Sequence, residues 1–147
     1  MRGRTPTQDT RPPLCVLAGN SCRFLPPHSV YRPAIGAWEL VEDWCWERGT
    51  IRRGFLYDLA STPSLAWLFG FPPYAFGMHG PLIHDFIYRC KGNPPPEVGS
   101  LDKPITRKEA DRIFVDMARA DGAPAWKCKV AYAAVRLFGW LAWGGRA

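Results

Sequence analysis

Large apolar side chains alternate with polar ones along AWELVEDWCW, residues 37–46. With one interruption at Glu42, every second position is apolar, and these positions are Trp38, Leu40, Trp44 and Trp46. An alternation of period two is typical of a strand with one buried face. The turn residues ERG follow, and TIRRGFLYDL, residues 50–59, has the pattern of a return strand with Gly54 at a bulge. The pattern therefore predicts a β-hairpin.

Downstream, apolar residues recur at helical spacing in four segments. The predicted helices are residues 63–70, 79–90 and 107–120, and the chain from 124 onward. Thr62 can cap the first of them, with Pro63 in a position where the missing N–H costs nothing. The sequence TRKE, residues 106–109, predicts a capping box at the third. Residues 91–104 are rich in Pro and Gly, so they predict a loop.

A hairpin followed by helices predicts an α+β fold, with a small β-hairpin or antiparallel sheet packed against about four helices. The chain has 147 residues, which suits one domain with a real core. Residues 1–13 hold Pro, Thr and Arg with almost nothing apolar, so we expect a flexible N-terminal arm. Residues 14–33 are predicted to be irregular packed chain, and residues 14–147 to form a single α+β domain.

The composition is that of a globular protein, with 47% hydrophobic and 22% charged residues. The net charge is +6, but no block of sequence concentrates it. A nucleic-acid interface normally gathers basic residues on one element, so the charge pattern argues against nucleic acid as a partner. A membrane surface stays open as an alternative, because Trp140 and Trp143 form an aromatic tail.

The 5 cysteines include no C-x-x-C pair. Their odd number and spacing argue against a disulfide framework and a zinc finger, and we expect a reducing cytoplasm. The start, MRGRTPTQDTRPP, lacks the apolar core of a secretory signal. The longest apolar run, residues 130–145, contains Arg136 and is too short for a spanning helix, so no transmembrane segment is expected.

The stretch GPLIHDFIYRC, residues 80–90, carries the first candidate chemistry. On a helical wheel, His84, Asp85 and Tyr88 fall opposite an apolar sector. That sector consists of Leu82, Ile83, Phe86, Ile87 and Cys90. A histidine beside carboxylates can hold a proton near neutral pH or bind a divalent metal ion. His84 and Tyr88 have the i,i+4 spacing that brings two side chains together, whereas the adjacent His84 and Asp85 diverge.

Asp58 and Asp111 are the other candidate carboxylates. Asp58 ends the return strand just before LASTP, where it can line a cleft or accept N–H bonds from the turn. Asp111 lies beside the apolar stripe of the third predicted helix, and a carboxylate there is costly unless it is paired. Its candidate partners are His84, Arg89 and Arg136; the alternative is that it reaches solvent. The sequence contains no nucleophile elbow, phosphate loop or H-E-x-x-H motif.

Four blocks, RRGFLYDLASTP, LIHDFIYR, TRKEADRIF and AVRLFG, resemble a phage- and prophage-encoded family, domain of unknown function 1353. The matching residues are Gly54, Phe55, Asp58, Leu59, Ala60, Ser61 and Pro63, then His84, Asp85 and Tyr88, then Arg107, Ala110, Asp111 and Phe114, then Ala134, Val135, Arg136, Phe138 and Gly139. Tyr57 and Ser64 depart from the family's usual Thr and Arg. The resemblance spans roughly residues 50–143 and implies a small late-gene or virion-associated product without an established activity.

The leading hypothesis is a virion- or tail-associated structural or assembly module, whose partners are other phage structural proteins. A hydrogen-bonded polar network would tie its hairpin to its helices. The network would consist of Asp58, His84, Asp85 and Asp111, supported by Ser61, Tyr88, Arg107 and Arg136. Such a product is expected in the host cytoplasm during assembly and afterwards in the virion.

The alternative hypothesis is a small hydrolase that acts during phage entry or lysis. His84 is then the general base, and Asp58, Asp85 and Asp111 orient it. The cofactor stays unknown, with a divalent metal ion held by His84, Asp58 and Asp111 as one alternative. The H-D-x-x-Y pattern also resembles the helix of secreted and parvoviral phospholipases, although their glycine-rich calcium loop has only a faint counterpart in FGMHG.

Overall fold

The computed structural model describes residues 26–58 and 73–144. The strands are β1 (Ser29–Arg32), β2 (Ala37–Leu40), β3 (Trp44–Trp46), β4 (Gly49–Ile51), β5 (Leu56–Tyr57) and β6 (Gly99–Leu101). The helices are α1 (His79–Arg89), α2 (Arg107–Ala120) and α3 (Ala125–Gly144), and a 3-10 turn, Pro73–Phe76, precedes α1. The predicted arm at residues 1–13 lies outside the described residues.

The predicted hairpin is present, but it bends into two sheets. β2 pairs with β5, and β3 pairs with β4, both antiparallel. Trp38 lies opposite Tyr57 and Trp44 lies opposite Ile51. The two arms of the hairpin therefore keep one register across the gap between the sheets. The predicted alternation is confirmed, because Leu40 together with the tryptophans of β3 is buried.

Gly54 marks the place where the sheets separate. Its N–H donates to the Leu40 carbonyl at 2.7 Å, and the Leu40 N–H donates to the Phe55 carbonyl at 2.9 Å. Two residues thus face one, and Gly54 has a φ of 84°, which a residue with a side chain rarely adopts. This is the geometry of a glycine bulge, as predicted, and a bulge bends the strand that carries it.

Each sheet also has a third strand that the sequence pattern does not predict. The strand orders are β1-β2-β5 and β3-β4-β6. Residues 29–32 form β1 instead of irregular chain, and residues 99–101 form β6 inside the predicted loop. Both strands are short: β1 pairs with the next strand, β2, across a turn at residues 33–36, and β6 pairs with the distant β4. A periodic signal needs a longer run than three or four residues, so neither strand is visible in the sequence.

α1 is the central helix of the core. Leu82, Ile83, Phe86 and Ile87 are completely buried, which confirms the predicted apolar sector. They pack in one cluster with Leu40, Ile51 and other side chains of the sheets. α2 begins at Thr106 with both halves of the predicted capping box in place. The opposite side of α1 packs against α2 and α3, so His84 and Tyr88 face other helices.

The α+β class is confirmed, but the number of helices is not the predicted four. The described residues form three α-helices, and the helix predicted at residues 63–70 lies outside the described ranges. The other three predicted helices are found close to their predicted bounds, because caps and prolines fix the ends of two of them. Of the helices in the described ranges, none combines the length and apolarity needed to cross a bilayer.

Candidate functional site

A buried carboxylate on α2 joins the three helices. The Asp111 side chain is completely buried, and its Oδ1 accepts a hydrogen bond from the Tyr88 hydroxyl at 2.5 Å. His84 Nε2 lies 3.1 Å from the same oxygen. Oδ2 accepts from Arg136 Nη1 at 2.8 Å, with Arg107 Nη1 at 3.8 Å. Each carboxylate oxygen therefore has donors from a neighbouring helix, and the alternative that Asp111 reaches solvent is wrong.

The i,i+4 spacing on α1 delivers two of these donors together. The rings of His84 and Tyr88 have centroids 4.1 Å apart and an interplanar angle of 33°. The Phe114 ring of α2 lies 5.0 Å from the imidazole on another side, and only 14% of the His84 side chain is exposed. The imidazole is therefore held in one orientation by aromatic contacts as well as by Asp111.

The same network fixes the position of α3 on the other helices. Arg107 Nη1 donates to the carbonyls of Val135 and Arg136 at 3.2 and 3.3 Å. Gly139 allows the close approach, because a Cβ at this position would lie 2.4 Å from the Tyr88 hydroxyl oxygen. The glycine of the AVRLFG block is thus required by packing against Tyr88.

Asp111 is an ionised acceptor at the centre of this network. Burial by itself raises the pKa of the Asp111 carboxyl, but the hydrogen bonds from His84, Tyr88 and Arg136 outweigh burial, and the pKa lies below its ordinary value. Burial raises the pKa of Tyr88, and so does the hydrogen bond to Asp111. The phenol therefore stays protonated and donates, in agreement with its short contact to the carboxylate.

The ionised state of Asp111 fixes the tautomer of His84. A carboxylate only accepts hydrogen bonds, so the imidazole Nε2 that faces it carries a proton. Nδ1 has no hydrogen-bond partner within residues 26–58 and 73–144. In the neutral ring this tautomer leaves the lone pair on Nδ1, and an oriented imidazole with such a lone pair is the arrangement that a general base requires.

A second polar contact joins the hairpin to α1. Asp85 Oδ2 accepts a hydrogen bond from the backbone N–H of Asp58 at 2.9 Å. Burial raises the pKa of Asp85 to about 6; the N–H of Asp58 and the charges of Arg89 and His84 oppose this, while the charge of Asp58 adds to it. The carboxyl of Asp85 therefore fastens the end of β5 to the helix.

The structure brings the predicted site residues together in two groups. His84, Tyr88, Arg107 and Arg136 surround Asp111. Asp58 and Asp85 form the other group, which adjoins the first through consecutive residues of α1. Ser61 lies outside the described residues.

The prediction that Arg89 is a candidate partner of Asp111 is wrong. It donates to the carbonyl of Leu56 and lies over the Phe55 ring, 5.2 Å from its centroid. Arg89 follows Tyr88 by one helical step, which turns its side chain away from α2 and towards β5.

The predicted metal ligands, His84, Asp58 and Asp111, do not form a metal-binding group among the described residues. Within the described ranges, no three His, Cys, Asp or Glu side chains form a group that fits a metal ion. His84 and Asp111 are in contact, but both oxygens of Asp111 already accept from protein donors. The positive groups around Asp111 also supply the countercharge that a metal ion would provide.

Sequence reasoning missed a second histidine–carboxylate pair. His79 Nδ1 lies 2.7 Å from Asp121 Oδ1, and the His79 backbone N–H donates to Oδ2 at 3.2 Å. The pair joins the start of α1 to the end of α2, beside the Trp44 ring. Both residues stand at helix ends, where the local pattern indicates only a boundary. No sequence signal connects two residues so far apart.

Comparison with known protein families identifies the family of this chain. No curated protein and no solved structure matches it. A family model described as a protein of unknown function matches residues 38–135, which extends the resemblance upstream to Trp38 and the first arm of the hairpin. Because this match covers more than half of the chain, the protein belongs to the DUF1353 family.

Proposed function

We propose that this protein is a structural or assembly module that binds another protein through α3. The main support is an apolar surface on the side of α3 that faces away from α2, which we call the outer face. Five large side chains, each at least half exposed, form it: Trp126, Val130, Leu137, Trp140 and Leu141. A helix that is apolar on its solvent side is typical of a binding surface.

The polar network supports this function by orienting α3. Arg136 binds Asp111, Arg107 binds two carbonyls of α3, and Gly139 lies against Tyr88. Only Cys128 and Ala131 of α3 are buried, so apolar packing holds the helix weakly. Buried polar groups with all partners in place fix one packing arrangement, and the outer face is thereby presented in a single orientation.

The proposed setting is a phage particle, with the protein in the host cytoplasm during assembly and in the virion or its tail afterwards. This setting follows from the resemblance of the four sequence blocks to phage- and prophage-encoded proteins. The proposed partner is another structural protein of the particle, because a virion component functions through its neighbours.

Incorporation into particles tests the proposal. Particles would be purified from cells that express the tagged chain together with the phage that encodes it, and the chain detected by immunoblot. Leu137→Glu places a charge on the outer face, and we expect it to leave folding intact and remove the chain from particles. Arg112→Glu, an exposed change on α2, is the matched control and should be retained. Equal incorporation of both variants, or no wild-type chain in particles, would contradict the proposal.

A second candidate function, a His84-dependent hydrolase, is favoured by one observation. Nδ1 of His84 has no partner within the described ranges, while Nε2 is oriented by Asp111. In this function His84 Nδ1 takes a proton from water, and Asp111 stabilises the imidazolium that forms.

Metal content and ester hydrolysis separate the two functions. The enzyme is supported if the purified protein hydrolyses a chromogenic ester or phospholipid and if His84→Gln abolishes this activity without unfolding the chain. If the purified protein contains a metal ion that both His84→Ala and Asp111→Asn lose, the hydrolysis would be metal-assisted. The assembly function is supported if His84→Gln only lowers stability and particles still incorporate the variant.

A further inference from the structure

We propose that the outer face of α3 pairs with a helix of the partner protein, and that this helix has an apolar stripe flanked by acidic residues. The inference rests on the proposed function, since it names the partner of the same surface. Three features of α3 carry it: the spacing of its exposed apolar residues, the size of the exposed surface and the sign of the flanking charges.

The exposed residues of α3 follow a heptad spacing. Steps of four and three residues connect Trp126, Val130, Ala133, Leu137 and Trp140, which we call the α3 seam. Steps of four and three keep a stripe straight along a second helix, because two α-helices that wind around each other repeat every seven residues. A strand or an irregular loop would not match this repeat.

The α3 seam points away from the rest of the protein. On the helical wheel the buried residues Cys128 and Ala131, and the partly buried Val135, lie on the opposite side. Every large residue of the seam is at least half exposed, from 50% for Val130 to 65% for Leu137. α3 therefore has two apolar sides, and α2 covers only one of them.

The outer face leaves as much apolar area exposed as the largest patch on a typical monomer. Aromatic side chains present roughly 150 to 250 Å² each. Five large side chains that are at least half exposed leave on the order of 500 Å² of apolar surface, in the upper part of the range for such a patch. A single partner helix can cover a stripe of this length, and Leu141 beside the seam would contact the flank of that helix.

The charges beside the α3 seam select an acidic partner. The two flanking heptad positions around Trp126 and Val130 are Lys127 and Lys129, and residues 125–144 contain no Asp or Glu. Lys127 Nζ also lies over the Trp126 ring, 5.6 Å from its centroid. Arg136 flanks the seam further along and binds Asp111. In a pair of identical α3 helices, lysines would have no acidic partner on either helix. A partner with Glu or Asp at its flanking positions would form ion pairs instead.

Two designed peptides provide the test. Both have three heptads with the same apolar stripe; one carries Glu at the flanking positions and the other carries Lys. Each peptide is labelled with a fluorophore, and binding to the full chain is followed by anisotropy. We expect the Glu peptide to bind on the order of tenfold more tightly, since its flanking residues attract the exposed lysines and those of the Lys peptide repel them.

Variants of the full chain make the test specific. The double change Lys127→Glu with Lys129→Glu should reverse the preference between the two peptides, and Leu137→Glu should weaken binding of both. Added salt should reduce the preference, because it screens exposed charges. Arg112→Glu on α2 is the control and should leave both affinities unchanged.

Four outcomes would overturn the inference. They are equal binding of both peptides, binding of neither, self-association of the chain that Leu137→Glu abolishes, and binding to phosphatidylglycerol vesicles but to neither peptide. The last outcome would assign the outer face to a lipid surface. If neither peptide binds while Leu137→Glu is still lost from particles, the assembly function stands and only the partner class fails. Peptide binding with normal incorporation of Leu137→Glu would instead refute the assembly function.

Discussion

Replacing Asp85 with Asn tests how the protein holds a buried carboxyl between the hairpin and α1. Burial raises the pKa of Asp85 from its ordinary value of 3.8 to about 6. Between these two pH values the folded protein binds the proton more tightly than the unfolded chain does. The free energy of unfolding therefore falls as pH rises through this window and becomes level above about pH 6, as far as Asp85 determines it. Through Asp85, the free energy of unfolding is about 3 kcal/mol higher below this pH window than above it.

The Asp85→Asn variant lacks this pH dependence because an amide does not ionise. Its oxygen can still accept the Asp58 N–H, which bonds to the Asp85 carboxylate in the wild type. We therefore expect the variant to gain about 3 kcal/mol relative to the wild type between about pH 3.5 and about pH 7. Urea unfolding followed by tryptophan fluorescence at a series of pH values measures the difference. Ile83→Val, a buried apolar change on the same helix, should give a difference that is constant with pH.

The reasoning is refuted if the difference between Asp85→Asn and the wild type is constant from pH 4 to pH 7. It is also refuted if the variant becomes relatively less stable as pH rises. The first result would mean that the N–H of Asp58 and the charges of Arg89 and His84 balance the effect of burial on the pKa of Asp85, and the second that they outweigh it.

Three further predictions concern the helices. Asp111→Asn should lower the free energy of unfolding in urea by about 3 kcal/mol near neutral pH, because the donors around residue 111 lose their anionic acceptor. The loss should shrink as pH falls below 3.8, because protonation of Asp111 then removes the stability that its lowered pKa supplies to the wild type. A loss that stays constant down to acid pH would contradict this. Gly139→Ala should lower the free energy of unfolding by about 2 kcal/mol through the clash with the Tyr88 hydroxyl. In a double-mutant cycle, the variant that combines it with Tyr88→Phe should lose less stability than the two single variants added together. Additive losses would exclude the clash. Thr106→Ala should lower the free energy of unfolding by about 1 kcal/mol in the same assay, because it removes the side chain that caps α2 at Glu109. An unchanged urea midpoint would exclude a contribution of this cap to stability.

Local signals in the sequence predicted the parts of the fold that depend on local chemistry. The capping box at Thr106 and Glu109 fixes the start of α2, and the alternation of Trp44 and Trp46 identifies a strand with one buried face. β1 was missed because its four residues are too few to show a period, and β6 was missed because its evidence is a partner elsewhere in the chain. Ser100 of β6, for example, pairs with Thr50, and three residues after a proline-rich run carry no period of their own.

The candidate site was predicted in part for a similar reason. A carboxylate beside an apolar stripe is costly unless it is paired, so the sequence indicated His84, Arg89 and Arg136 as candidate partners of Asp111, with exposure to solvent as the alternative. Choosing between the arginines requires the relative rotation of the helices. Arg89 and Arg136 carry the same charge, and only the packing of α1 and α3 on α2 turns the second one towards Asp111.

The hairpin with one register across two sheets restricts how the length of this chain can change. Six positions separate Trp38 from Trp44 on one arm, and six separate Ile51 from Tyr57 on the other. One extra residue in a single arm would turn the side chains beyond it to the opposite face and expose buried tryptophans. Natural relatives are therefore expected to gain or lose residues on both arms together, or in the loops outside the hairpin.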